Sequence, residues 1–230
     1  MAERDADASA SSYRPRPLEF VRRDVDDMRR RAASWLDEMG RRRSVRRFSS
    51  DSVPEDLVAQ AVRTAGTAPS GAHLQPWTFV IVRDPALKAR IRAGAEEEER
   101  EFYERRAPDT WLQALEPLGT DAVKTHLTDA PYVVVLFRHR YGIRPDGSTR
   151  PYYYTSESCG IAAGVFITAI HHLGLATLPH TPSPMRFLST LLERPANEQP
   201  FLVLPVGYPA VDATVPSLER KSLEEISVWR

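Results

Sequence analysis

The run Tyr132-Val133-Val134-Val135-Leu136-Phe137 is apolar without interruption. A strand with one face in water alternates apolar and polar residues, because successive side chains point to opposite sides. An unbroken run therefore predicts a strand covered on both faces. Phe201–Val206 is a second such run, interrupted by Pro205, and Thr78–Arg83 reads as a further strand.

The rest of the chain supplies helices. Ser52-Val53-Pro54-Glu55 has the S-x-x-E pattern of a capping box. It predicts a helix with Leu57, Val58, Ala61, Val62 and Ala65 on one face, stopping near Gly66. Pro85–Arg106 reads as a helix dense in Glu and Arg, and 109–127 as a second helical segment. Residues 155–174 form a helix rich in small residues, among them Cys159, Gly160 and Ala163, so a neighbouring backbone can pack closely. Loop 139–151, with Gly142, Pro145 and Gly147, is the clearest exposed turn. Residues 19–41 look helical but strongly charged, an arm able to wrap a partner subunit. Helices interleaved with few strands point to an α+β layer fold with one sheet. The 230 residues suffice for a sizeable core. They divide into a tail, 1–18, expected to be disordered, and a domain, 19–230.

Lys plus Arg and Asp plus Glu both number 31, so the formal net charge is zero. That balance argues against bulk electrostatic binding to nucleic acid or membrane. Cys159 is the only cysteine, which excludes an intrachain disulfide and a multi-thiolate metal site and suits a reducing cytosol. Met1–Arg16 is polar and lacks the apolar stretch of a secretory signal or membrane anchor. The chain is expected to be soluble and cytoplasmic, with no membrane partner.

Two segments carry chemistry. Arg41-Arg42-Arg43-Ser44-Val45-Arg46-Arg47 packs arginines around a hydroxyl, an arrangement that can grip a phosphate through bidentate guanidinium contacts. Ala68-Pro69-Ser70-Gly71-Ala72-His73-Leu74-Gln75-Pro76-Trp77 is a loop whose small residues let backbone N–H groups approach a flat ligand. Together they suggest a phosphorylated planar cofactor, and flavin mononucleotide (FMN) fits both. Other conspicuous residues read as structural: His171-His172 at a helix end, Cys159 in packing, and Tyr152-Tyr153-Tyr154 as interface or core surface. No metal-ligand spacing, nucleophile triad or G-x-G-x-x-G motif is present.

An ordered series continues these segments. It comprises Thr64–His73, Pro76–Val80, Glu96–Glu99 followed by Tyr103, then Lys124, Thr181-Pro182, Leu204–Pro209, and Thr214-Val215-Pro216 before Arg220-Lys221. In this series residues 20–230 resemble the nitroreductase-like flavoproteins, and among them closely the iodotyrosine deiodinases. The resemblance implies a nitroreductase-like fold, with a central, mostly antiparallel sheet flanked by helices, in an intertwined homodimer with FMN at the interface. It assigns Arg42, Arg43, Ser44, Arg46, Pro69, Ser70, Gly71, Thr181 and Arg220 to the cofactor. It assigns Ala72, through its backbone N–H, to the substrate phenolate, and Glu99, Tyr103 and Lys124 to an amino-acid zwitterion. The segment 90–126 is then a lid. Thr181 matches a hydroxyl to flavin N5 that favours one-electron steps over hydride transfer, although Pro179-His180 departs from the hydroxyl-rich run of mammalian members. Mammalian members also carry a membrane anchor that is not expected here.

The implied activity is FMN-dependent reductive dehalogenation of halotyrosines, with a separate NAD(P)H-dependent flavin reductase as a plausible electron source. The alternatives are a broad NAD(P)H-dependent nitroreductase or flavin reductase, and a non-catalytic flavin- or halotyrosine-binding protein.

Overall fold

The computed structural model describes residues 14–230. Most of the tail expected over 1–18 therefore lies outside the described residues. The chain divides into two units, one ending at Asp37 and one spanning Glu38–Arg230. Helix α1 (Val25–Gly40) begins in the first and ends in the second, and it starts later than expected. The Asp24 carboxylate accepts the Asp27 N–H at 2.9 Å and fixes that start. No residue of α1 is buried, and Asp27 is ringed by Arg23, Arg30 and Arg31.

In chain order the second unit contains α2 (Glu55–Ala65), β1 (Trp77–Val82), α3 (Pro85–Glu101), α4 (Asp109–Leu115), α5 (His126–Asp129) and β2 (Tyr132–His139). These are followed by β3 (Tyr141–Ile143), β4 (Thr149–Pro151), α6 (Thr155–His172), β5 (Ala176–Thr177), α7 (Arg186–Leu191), β6 (Glu198–Gly207) and α8 (Leu223–Ile226). The main sheet has the order β1-β2-β6-β5, and its neighbouring strands are antiparallel.

The apolar run behaves as its composition requires. Val134 sits between Ile81 and Leu204 in register. With Tyr132 it packs against Val58 and Ala61 of α2 and Phe166 and Ile170 of α6. The alternate residues Val133, Val135 and Phe137 pack against Ile91 and Ala95 of α3, Leu127 of α5 and Leu188 of α7. Each such fully buried side chain contributes about 1.5–3 kcal/mol. Pro205 is tolerated inside β6 for a positional reason. It has the same parity as Val203, whose N–H and C=O pair with His180 on the far side from β2, so the missing N–H interrupts no bond to β2.

Several sequence expectations change. The S-x-x-E box does not form: α2 is preceded at its cap by Pro54, which makes no side-chain bond, and Glu55 pairs with Arg83 instead. The helix expected over 85–106 is regular to Glu101 and then widens into a π turn, Phe102–Arg106. The segment 109–127 breaks after a turn containing Pro117, where Gly119 takes a left-handed φ of 56°. Loop 139–151 folds into the β3–β4 hairpin.

Lys88 is buried, and its ammonium donates to the carbonyls of Thr128 (3.2 Å) and Ala130 (2.7 Å) behind α5. Lys88→Met leaves both carbonyls short of a donor and is expected to cost about 1–3 kcal/mol. A lowered urea midpoint with an unchanged m-value is the expected signature.

Candidate active site

Four stretches of chain converge on one cavity of about 250 Å³. The end of α3 presents Glu99, and the π turn presents Tyr103 one turn on, so both share a face. After Gly119 the chain doubles back and brings Lys124 opposite Glu99. Beyond β5 it stays beside β6, where His180 exchanges two backbone bonds of 2.9 Å with Val203. That pairing fixes His180 and Thr181 at the cavity wall. Arg46 enters from the segment in which Ser44 bridges Thr177.

Lys124 Nζ lies 3.0 Å from Glu99 Oε2, with the two side chains 4% and 14% exposed. His180 Nε2 lies 3.0 Å from Glu99 Oε1. Burial alone would raise the Glu99 pKa, but the His180 hydrogen bond and the Lys124 charge outweigh it and hold the carboxyl below its ordinary value. The lysine also donates to the carbonyl of Asp121 and, at 3.4 Å, to Thr120 Oγ1. Tyr103 donates its hydroxyl to the Thr120 carbonyl at 3.2 Å. Burial, aided by the Glu99 charge, pushes this phenol up and keeps it a donor. The cavity thus offers an acid, an ammonium and a phenol side by side, with Phe102 and Trp111 as aromatic lining.

Of the cofactor set, only Arg46 and Thr181 line this cavity. Arg220 donates to the carbonyls of Gly40 (2.9 Å) and Arg42 (2.8 Å), and Arg43 donates to the carbonyl of Pro216. Burial and the neighbouring Arg220 and Arg43 charges lower the Arg42 pKa. Among the described residues none of Arg42, Arg43, Arg46 and Arg220 is paired with a carboxylate, whereas Arg47 is held by Asp212. Crowded guanidinium groups without counter-charge suit a doubly charged anion such as a phosphate monoester. Arg42 and Arg43 line a second cavity, of about 220 Å³, with Thr177 and His171.

Pro69, Ser70, Gly71 and Ala72 lie apart from the Glu99 cavity. Their loop is strained: Ala72, His73 and Gln75 adopt φ of 49°, 54° and 47°, a region that non-glycine residues rarely occupy. It is over-determined by its surroundings. Ser70 Oγ accepts the Gln75 N–H at 3.0 Å, the Gly71 N–H reaches Ser158 Oγ at 3.3 Å, and Cys159 Sγ meets the Pro76 carbonyl at 3.2 Å. A Cβ on Gly71 would fall 2.9 Å from the Tyr153 carbonyl, so glycine is required there. Burial pushes the Cys159 thiol up to about 12, which fits packing and not nucleophilic chemistry.

His180 and His126 are the residues that sequence reasoning missed. Their rings meet edge to face at 5.5 Å, and both line the Glu99 cavity. Burial, with His180 and Lys124 nearby, lowers His126 to about 3 and keeps it neutral. No local sequence signal marks a histidine that meets a carboxylate 81 positions away. His171 and His172 bond to Glu38, and no metal-ligand group occurs among the described residues. No helix of the described residues is long and apolar enough to cross a membrane.

The model of the nitroreductase family matches residues 39–208. An iodotyrosine deiodinase of Haliscomenobacter hydrossis is 51% identical over 203 residues, covering 88% of this chain and 91% of the relative. Iodotyrosine deiodinase 1 of Homo sapiens is 40% identical over 99% of this chain and 80% of its own length. A crystal structure of oxidized iodotyrosine deiodinase bound to FMN and 3-iodo-L-tyrosine aligns with a TM-score of 0.71 at 29% identity, over 85% of this chain and 100% of that one. Sequence series and fold agree with these likenesses, and the chain belongs to the nitroreductase family and, within it, to the iodotyrosine deiodinases.

Proposed function

We propose that this protein is an FMN-dependent reductive dehalogenase of halotyrosines, converting iodotyrosine to tyrosine and iodide. The observation that carries the reading is the Glu99–Tyr103–Lys124 cluster sharing one cavity with Arg46 and Thr181. FMN, when bound and reduced, would supply two electrons, which with one proton replace the carbon–halogen bond by a carbon–hydrogen bond and release halide, leaving oxidised FMN.

The residues of the chain bind and orient. Arg42, Arg43, Ser44, Arg46 and Arg220 would hold the phosphate and ribityl side of FMN, and Pro69, Ser70 and Gly71 would border the ring. The Ala72 N–H donates to the phenolate oxygen and lowers the phenol pKa, favouring halophenols that are already acidic. Glu99 takes the substrate ammonium, while Tyr103 and Lys124 take its carboxylate. Thr181, at the cavity wall, would donate to flavin N5 and so favour single-electron chemistry over hydride transfer. The segment 90–126 closes over the zwitterion as a lid and excludes water.

A homodimer accounts for the separation of the Pro69–Ala72 loop from the Glu99 cavity, the loop of one copy completing the cavity of the other. An NAD(P)H-dependent flavin reductase is the expected electron source, in the cytoplasm.

Anaerobic incubation of FMN-loaded protein with diiodotyrosine and dithionite is expected to release iodide and form tyrosine. An FMN-loaded protein that reduces nitroarenes rapidly and leaves diiodotyrosine intact is instead a general nitroreductase. One that binds halotyrosine tightly without turnover is a binding protein.

A further inference from the structure

Glu99 has two partners in the cavity, and only Lys124 belongs to the zwitterion clamp. The other, His180, is 9% exposed and is pinned through its backbone to Val203. Because Glu99 is ionised, the imidazole nitrogen at 3.0 Å must carry a proton and donate it to the carboxylate. Nδ1 faces away from that bond. It is buried without a partner, as is Nε2 of the neighbouring His126. The two imidazoles form a polar wall whose one directed bond goes to Glu99.

A carboxylate accepts about four hydrogen bonds. Lys124 occupies a position on one oxygen and His180 a position on the other, which leaves room for an incoming ammonium. When a substrate carboxylate draws donors of Lys124 away, His180 remains as the group that holds Glu99 in place.

We infer that His180 is a positioning residue for the α-ammonium of the substrate: it aims Glu99 and so makes the site prefer amino-acid halophenols to halophenols without the amine. This inference rests on the deiodinase reading above. His180 acts through Glu99, so the effect falls on the affinity for amine-bearing ligands and on the choice of ligand.

The test compares wild type, His180→Leu and His180→Gln, each loaded with FMN. Quenching of flavin fluorescence is titrated with 3-iodotyrosine and with 3-(4-hydroxy-3-iodophenyl)propionate, which keeps the ring and carboxylate and lacks the ammonium. His180→Leu is expected to weaken 3-iodotyrosine binding about tenfold, the loss of one hydrogen bond to a charged group. It should leave the propionate within about twofold, since one lost bond to Glu99 is not part of that complex. His180→Gln keeps an N–H within reach of Glu99 and should recover most of the affinity. If His180→Leu does not accumulate, His180→Ala carries the same expectation.

Equal losses for both ligands, undiminished 3-iodotyrosine binding in His180→Leu, or failure of Gln to rescue overturns the inference while leaving the deiodinase reading intact. Wild-type protein that holds FMN and binds neither ligand overturns that reading and this inference together.

Discussion

Glu99→Gln is expected to weaken halotyrosine binding by about two orders of magnitude while FMN remains bound. Truncating one partner of a desolvated charge pair commonly costs about 2–5 kcal/mol of binding, and every 1.4 kcal/mol or so is a factor of ten. Glutamine fills the same space but cannot neutralise an ammonium. Of the arginines assigned to the phosphate, Arg42, Arg43 and Arg220 lie outside the Glu99 cavity, and Arg46 lines it while the partners of Glu99 are Lys124 and His180, so flavin content should not change. Equilibrium titration of flavin fluorescence measures both quantities. Unaltered affinity in the variant would falsify the assignment of Glu99 to the substrate amine.

The same substitution has a second consequence. Lys124 is 3% exposed, and without Glu99 its charge is buried and uncompensated. Breaking a buried pair by removing one partner costs about 3–5 kcal/mol, so the variant should be markedly less stable as well. The pH dependence has a defined sign. The folded protein holds the Glu99 pKa below its ordinary value of 4.5. Its stabilisation is therefore complete above that value and is lost as pH falls through the lower, folded value. The stability gap between wild type and Glu99→Gln should be constant near neutrality and close below about pH 4.5, where the wild-type carboxylate protonates. Urea unfolding at a series of pH values tests this directly, and a gap that widens on acidification contradicts the ion pair.

Phe166→Ala is expected to cost about 4 kcal/mol, through lost burial and the cavity left behind. Phe166 is fully buried on α6, its ring 5.5 Å from that of Phe79 of β1. Around it stand Val58 and Ala61 of α2, Val134 of β2 and Leu204 of β6, so these elements lose their common neighbour at once. For a domain of this size the melting temperature should fall by roughly 10 °C. Phe166→Leu refills most of the space and should cost only about 1–1.5 kcal/mol. Phe166 does not line the Glu99 cavity, so the folded variant should bind halotyrosine like wild type. A ligand defect larger than the stability defect explains would show that this core face also sets the site.

Much of the architecture is local information. The period of side chains along a strand makes Tyr132–Phe137 a two-faced strand in any context that buries it, and helices on both sides follow from that requirement. The arginine cluster and the Pro69–Ala72 loop are likewise visible as residues, because phosphate recognition and a strained turn each need particular side chains close together in sequence. Capping at Ser52 and continuity over 109–127 looked equally local, yet packing overrode them. Glu55 found Arg83, and the turn at Pro117 and Gly119 redirected the chain so that Lys124 reaches Glu99.

The sequence by itself therefore determined the buried sheet, the covering helices and the inventory of charged groups. Only the tertiary structure decided which of those groups meet. His180 is joined to Glu99 because two backbone bonds seat it beside Val203, and α3 packs on the sheet through Ile91 and Ala95 in one cluster with Val203. That pairing spans 81 residues and is set by how sheet and helix pack. Propensity and spacing along the chain carry no record of it, since they describe neighbours in sequence and the site is made of neighbours in space.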